Sequence, residues 1–192
     1  MKTRGVEIRA IEIEGMPIFV IDELFDELEV STIFRDIESG DFTREEYDLP
    51  GDDHPIFSFE YDARKFETNH PVAVRTRQQL ASCFPSEKHK LVRAYVNRCN
   101  SEDISYPHRD CVDYSRNVTA LYYANPTWDY RWGGETKFYE KSDTRYAVLP
   151  HPGRIVVFRG AIEHMGSVPS QICHDPRYTL AMKYSSRVPT SK

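Results

Sequence analysis

Apolar and polar residues alternate along residues 6–13, VEIRAIEI, and a short apolar run follows at 17–21, PIFVI, so strands are expected near the start of the chain. Asp22 is placed to cap a helix whose apolar positions Leu24, Phe25, Leu28, Phe34 and Ile37 keep roughly helical spacing, with Gly40 as its stop. Residues 41–55, DFTREEYDLPGDDHP, hold two prolines, one glycine and six acids, which is the composition of a loop or flap. Ile56 to Tyr61 alternates again, and residues 71–84 read as a second helix that opens at Pro71 and is closed by Pro85. From Leu91 onward the pattern changes. Segments 91–98, 117–124, 135–139, 145–149, 154–158 and 177–185 are short, aromatic or β-branched, and separated by Asn-Pro, Gly-Gly, Pro-His-Pro-Gly and Val-Pro breakers. Many short strands at this spacing predict an antiparallel sandwich or jelly roll. No repeat, low-complexity tract or linker interrupts the chain, so residues 1–192 read as one domain with its helices mainly in the first half.

Composition narrows the function classes. With 25 Lys plus Arg against 30 Asp plus Glu, the chain carries a formal charge of −5, which argues against a general nucleic-acid binder. A content of 40% hydrophobic, 12% aromatic and 29% charged residues belongs to a soluble globular domain and excludes disordered, collagenous and coiled-coil chains. A domain of this size buries about 70% of its extended surface, so it needs no structural metal or disulfide, and a metal found in it would be functional. Cys83, Cys99, Cys111 and Cys173 are scattered, with no Cys-x-x-C pair and no zinc-finger spacing, and read as reduced thiols of a cytoplasmic protein. Met1 to Glu14 contains no continuous apolar core of a signal peptide, and the longest apolar stretch, Met16 to Ile21, includes a proline, so neither secretion nor a membrane span is expected.

The candidate chemistry starts from His108-Arg109-Asp110. Alone it means little, because a chain with seven histidines and 30 acids in 192 residues holds such a pair by accident. It gains weight from His164 downstream and from the run Arg177-Tyr178-Thr179-Leu180-Ala181. Strand alternation puts Arg177 and Thr179 on one face, where a guanidinium and a hydroxyl can converge on one carboxylate of a small dicarboxylate ligand. Two imidazoles and one carboxylate arranged facially leave three positions open on a ferrous ion, enough for a bidentate ligand and dioxygen together. A four-ligand structural site leaves none.

With these residues in place the sequence resembles the Fe(II)- and 2-oxoglutarate-dependent dioxygenases, in their prolyl 4-hydroxylase-like branch. Tyr122-Tyr123-Ala124-Asn125, Trp128, Gly133-Gly134-Glu135-Thr136 and Phe138 are similar to that branch's Tyr-Leu-Asn, Trp, Gly-Gly-Glu and Phe stretch. Pro150, Gly153 and Ile155 to Phe158 resemble the strand before the distal histidine, and Glu163-His164 followed by Val168-Pro169 continues the register. The resemblance covers residues 91–185, and its ordered string of motifs is specific although each piece is weak. It implies a mainly β fold with flanking helices around a double-stranded β-helix, a cupin-like jelly roll. Residues 1–90 would be a helix-containing supporting part and 91–186 the catalytic core.

The resemblance also implies roles. His108, Asp110 and His164 would be the iron ligands, Arg177 the salt-bridge partner of the distal carboxylate of 2-oxoglutarate, and Thr179 and Tyr123 its hydrogen-bonding helpers. Tyr95 would line the cosubstrate or substrate pocket, although its spacing to His108 is long for the family, as is the spacing from His164 to Arg177. Fe(II), 2-oxoglutarate and O2 would be the cofactors, with ascorbate able to serve as reductant. The implied reaction hydroxylates an unactivated C–H bond of a prolyl residue, an amino acid or a small natural product and releases succinate and CO2. Asp110 favours hydroxylation, desaturation or demethylation, since related halogenases lack that carboxylate. A small-molecule or peptidyl substrate is the expected partner, without nucleic acid or membrane. Loops 41–55 and 98–106 with Arg116 and Arg131 are the candidate substrate contacts. Packing is the expected role of Tyr122, Trp128 and Trp132, a tight turn that of Gly133-Gly134, and a surface position that of His54, His70, His89, His151 and His174. Two other classes compete: a divalent-metal hydrolase or isomerase on a cupin-like barrel, and a non-catalytic jelly-roll binding module. Neither needs the dicarboxylate anchor of Arg177 and Thr179.

Overall fold

The computed structural model describes residues 5–111 and 116–187, so the ends of the expected 1–192 domain and residues 112–115 lie outside the described residues. Strands β1 (Glu7–Ile13) and β2 (Met16–Asp22) form an antiparallel hairpin. Helix α1 (Glu27–Glu38), edge strand β3 (Thr43–Glu46) and strand β4 (Ile56–Tyr61) follow, then helices α2 (Ala63–Asn69) and α3 (Pro71–Cys83). The second half is almost all strand: β5 (Lys88–Cys99), β6 (Val118–Tyr123), β7 (Thr136–Glu140), β8 (Asp143–Val148), β9 (Ile155–Arg159), β10 (His164–Gly166) and β11 (Arg177–Arg187). Among the described residues these make an eight-stranded sheet, β1-β2-β9-β6-β11-β5-β4-β3, and a three-stranded sheet, β10-β7-β8. The expected jelly-roll core with flanking helices is the architecture found.

Strand alternation sorts the core into two layers. Tyr122, Ile155, Val157, Leu180, Met182 and Tyr184 face the helices and pack with Val30, Ile33, Ile37, Val72 and Leu80. Their neighbours in sequence, Leu121, Tyr123, Val156, Phe158 and Ala181, face the small sheet and pack with Phe138, Val148 and Ile162. Every side chain of β6 is therefore buried, as a central strand covered on both faces requires. The cavity described below opens on the second of these layers.

Three elements depart from expectation. Helix α1 is capped by Asp26, not Asp22, because only Asp26 has a glutamate three residues on: its carboxylate accepts from Glu29 N at 2.8 Å while Glu29 Oε2 accepts from Asp26 N at 3.0 Å. Asp22 instead ends β2 and takes both arms of Arg154, at 2.7 and 2.9 Å. Within the expected loop 41–55, residues 43–46 pair with β4 although they have no apolar alternation. Polar anchors hold that edge: Arg44 donates to the Pro55 carbonyl at 2.7 Å and to Asp103 at 2.8 Å, and Glu46 accepts from Arg93 at 3.1 and 2.8 Å. Helix α2 was not anticipated. It is a single short stretch, capped by Asp62, that buries only Phe66.

Two histidines expected at the surface are inside. His89 is held beside Glu87, Nε2 to Oε2 3.3 Å, with its side chain 3% exposed. His70 caps α3, accepting from Val72 N through Nδ1 at 3.3 Å, and stacks on Phe66 with centroids 4.3 Å apart. Burial, only partly offset by Asp36, pulls the His70 imidazole down from 6.5 to about 4. The unfolded chain takes up this proton near pH 6.5 and the folded chain only near 4, so the contribution is complete above that window and is lost as the pH falls through it. His70→Asn keeps a capping acceptor without a titratable ring. Urea unfolding at pH 7 and pH 4.5 is expected to show the wild type losing about 2 kcal/mol more than the variant.

Candidate metal and dicarboxylate site

His108 and His164 are brought together by backbone pairing. Each accepts the other's N–H at 2.9 Å in an isolated antiparallel bridge, which fastens the segment before β6 to β10. Asp110 is placed by its own N–H, which donates to Gly160 O at 2.8 Å. One ligand atom from each of His108, Asp110 and His164 lies within 4.8 Å of the others, the spread a single metal ion requires. His108 Nε2 is 3.8 Å from Asp110 Oδ1 and His164 Nε2 is 3.7 Å from Asp110 Oδ2.

The histidine tautomers follow from their outer partners. His108 Nδ1 is 3.0 Å from the Tyr106 carbonyl and His164 Nδ1 is 2.9 Å from the Ile162 carbonyl. A carbonyl can only accept, so Nδ1 carries a hydrogen in both rings, which leaves Nε2, on the side of Asp110, as the atom able to ligate a metal. Burial pulls His164 down to about 4, against the raising effect of Asp110, which keeps this ring neutral at pH 7. Burial alone would raise Asp110, but the Lys183 ammonium, His164 and hydrogen bonds from Lys183 and Thr119 outweigh it and hold the carboxylate ionised, well below its usual range. Two imidazoles and one carboxylate are the donor set for a divalent first-row metal with open positions.

A cavity of about 450 Å³ contains this triad and extends along β11, with Arg177, Thr179, Ala181 and Lys183 on its wall. Arg177 is 5% exposed and donates through Nη1 to the Gly134 carbonyl at 2.6 Å. Among the described residues its Nε has no hydrogen-bond partner, and neither do Thr179 Oγ1 and Asn97 Oδ1. Thr179 faces Asn97 across the β11–β5 ladder, and Arg177 faces Cys99. Unpartnered buried polar atoms of this kind are costly unless a ligand completes them. Room for the guanidinium comes from a residue without Cβ: a Cβ at Gly166 would lie 2.9 Å from Arg177 Nη2. A cationic and hydroxyl-bearing recess beside a metal triad fits a small dicarboxylate that also chelates the metal.

The remaining residues singled out from the sequence distribute unevenly. Tyr95 lines the cavity and carries Arg93 over its ring at 4.0 Å. Tyr123 lies behind the wall, its hydroxyl 2.7 Å from Thr136 Oγ1 and 3.2 Å from the Val148 carbonyl, and reaches the cavity only through Thr136. From the two loops, Glu46, Tyr47, Asp48, Cys99 and Ser105 line the cavity. Asp48 also braces the triad's segment, accepting from Ser105 Oγ at 2.9 Å and Tyr106 N at 2.8 Å. Arg116 and Arg131 are not on its wall. Arg131 is exposed and paired with Asp129 at the 3-10 turn Tyr130–Trp132. Trp128 packs edge-on against Trp132 at 5.4 Å, in keeping with the packing role expected of both. Sequence reasoning missed Lys183, Thr119 and Asn97. Each is a two-residue step or multiple of it along a strand from a residue that was named, and that periodicity was the available signal.

Residues 94–184 match the family model described as the 2OG-Fe(II) oxygenase superfamily. No curated protein matches the chain. Among solved structures, the fold is similar to that of a viral collagen prolyl hydroxylase from Paramecium Bursaria Chlorella virus-1, with 15% identity, a TM-score of 0.64, and coverage of 96% of this chain and 99% of that one. A prolyl hydroxylase from Trichoplax adhaerens, solved with a hypoxia inducible factor peptide fragment, is 17% identical with a TM-score of 0.61, covering 91% and 87%. HygX from Streptomyces hygroscopicus, solved with nickel and 2-oxoglutarate bound, is 14% identical with a TM-score of 0.62, covering 88% and 82%.

Proposed function

We propose, from the premise that residues 94–184 place this chain in the 2OG-Fe(II) oxygenase superfamily, that it hydroxylates an unactivated C–H bond of a prolyl residue, an amino acid or a small natural product. The chain is an oxygenase with a prolyl 4-hydroxylase-like fold, and its cofactors are Fe(II) and 2-oxoglutarate. One observation carries the assignment of residues: the triad and the unpartnered Arg177 Nε and Thr179 Oγ1 share a single cavity. A metal hydrolase or isomerase has no use for the second half of that arrangement.

In this reading His108, Asp110 and His164 hold the iron. Arg177 and Thr179 take the distal carboxylate of 2-oxoglutarate, Tyr95 walls the cavity, and Tyr123 supports it through Thr136. When bound, Fe(II) with 2-oxoglutarate and O2 supplies the oxidising power, and the cosubstrate leaves as succinate and CO2. The protein's own contribution is positional. The Tyr106 and Ile162 carbonyls fix both imidazoles, so their Nε2 atoms need no rearrangement to ligate. Arg177, rigid against Gly134, sets how far the cosubstrate's other end can reach. Tyr47, Asp48 and Ser105 line the same cavity and are the substrate contacts of this reading. We read residues 1–90 as the supporting part of the same catalytic unit, since α1 and α3 cover the outer face of the strands that carry the site.

The test is stoichiometric. Purified protein supplied with Fe(II), ascorbate and 1-labelled 2-oxoglutarate is expected to release labelled CO2 in proportion to hydroxylated product when the right substrate from a panel of prolyl peptides, free amino acids and small natural products is added. Turnover of a panel member with no succinate formed would overturn the reading. Among the described residues no helix is long and apolar enough to cross a membrane.

A further inference from the structure

Among the described residues Lys183 pairs its ammonium with the carboxylate of the triad, and it does so in a particular way. Its Nζ lies 2.5 Å from Asp110 Oδ2 and 3.4 Å from Thr119 Oγ1. Thr119 donates to that same Oδ2. Thr119 and Lys183 face each other across the β6–β11 ladder, so backbone register sets both donors on one oxygen. Lys183 lines the cavity, with its ammonium 5.9 Å from the centroid of the Tyr95 ring. The Lys183 side chain is one-fifth exposed, at 20%. A merely solvated lysine would extend into water.

We propose that Lys183, with Thr119, is a positioning pair that occupies Asp110 Oδ2 and leaves Oδ1 alone to ligate the metal. The inference rests on the reading of His108, Asp110 and His164 as metal ligands. Its physical basis is the accounting of acceptor sites. A carboxylate oxygen accepts about two strong hydrogen bonds, and here both on Oδ2 come from groups fixed by strand register, one of them charged. Among the described residues no hydroxyl or ammonium donates to Oδ1. An unrestrained aspartate can chelate through both oxygens and so fill one of the three positions that the cosubstrate and O2 need. With Oδ2 occupied, the carboxylate contributes one bond and the open positions stay open. The ammonium also adds positive charge beside the ion, which opposes binding of the dication and favours the anionic cosubstrate that follows it.

The test separates the pair's role from that of the triad. Co(II) is titrated into wild type, Lys183→Met, Lys183→Arg and Thr119→Val, the visible ligand-field spectrum of each loaded protein is recorded, and 2-oxoglutarate is then titrated in. Lys183→Met is expected to shift the ligand-field spectrum and weaken 2-oxoglutarate about tenfold while binding Co(II) at least as tightly as wild type. Thr119→Val, which removes a donor and keeps the charge, is expected to shift the spectrum in the same direction, and Lys183→Arg to restore both spectrum and affinity. Melting curves of the metal-free proteins identify any variant that fails to fold, and the two single-donor variants stand in for one another. Superimposable spectra with 2-oxoglutarate affinities within twofold would overturn the proposal and leave the triad intact. A folded wild type that binds no Co(II) would overturn the triad, and the proposal with it.

Discussion

Asp110→Ala is expected to abolish iron-dependent turnover and to lower the melting temperature of the metal-free protein at the same time. The first effect follows from the donor set. With Asp110 gone only the two imidazoles of the triad remain, and its anionic donor is lost. Outer partners of metal ligands alone are worth about 10- to 100-fold in affinity, so removing a ligand outright should cost at least about 100-fold. The second effect has a different origin. Asp110 pairs with Lys183 at 2.5 Å, and both side chains are mostly shielded, 13% and 20% exposed. Breaking a buried ion pair by removing one partner strands the other charge and costs about 3 kcal/mol or more. In a domain of this length that is a fall of roughly 6–12 °C. Isothermal titration with Mn(II) and a melting curve without metal check the two halves separately. Full activity in Asp110→Ala would contradict the ligand assignment, and an unchanged melting curve would contradict the buried pair.

Arg177→Ala is expected to leave metal affinity unchanged and to weaken 2-oxoglutarate on the order of 100-fold. Charge-assisted hydrogen bonds contribute about 1.5–3 kcal/mol each, and 1.4 kcal/mol is tenfold in affinity. The guanidinium is already fixed by its 2.6 Å bond to the Gly134 carbonyl, so little ordering cost is paid when the ligand arrives. Arg177→Lys keeps the charge but loses the planar fork, and should recover only part of the affinity. Equilibrium titration of 2-oxoglutarate into the Mn(II)-loaded proteins distinguishes these outcomes. Equal affinities in all three would mean that the dicarboxylate anchor lies elsewhere in the cavity.

What could be read in the sequence is what depends on local periodicity. Arg177 and Thr179 were identifiable as a pair because alternation along a strand needs no knowledge of the fold. His108, Asp110 and His164 were identifiable only as an ordered motif, since nothing local joins residue 108 to residue 164. The joining interaction is the antiparallel bridge between their backbones. Lys183 shows the limit most clearly. It lies on the same face of β11 as Arg177, yet its meaning comes from Asp110, which is held beside it by a backbone bond to Gly160. His70 and His89 were misplaced for a related reason. Their immediate neighbours, Asn69 and Pro71 or Lys88 and Lys90, read as surface positions, but the His70 ring packs on Phe66 and Tyr61 and the His89 ring on Phe84. Helix α2 and strand β3 are too short and too polar to carry a periodic signal, and capping and ion pairs from distant residues hold them.

The His108, Asp110 and His164 triad and the Arg177 recess are expected to serve a single chelated dicarboxylate. The direct measurement is anaerobic: Fe(II) is added to the apoprotein, 2-oxoglutarate is titrated in, and the visible metal-to-ligand charge-transfer absorption is followed. A saturable band that appears in the wild type, is absent in Asp110→Ala and needs far more 2-oxoglutarate in Arg177→Ala is the expected result. A folded, iron-loaded wild type that gives no band at saturating 2-oxoglutarate would contradict it.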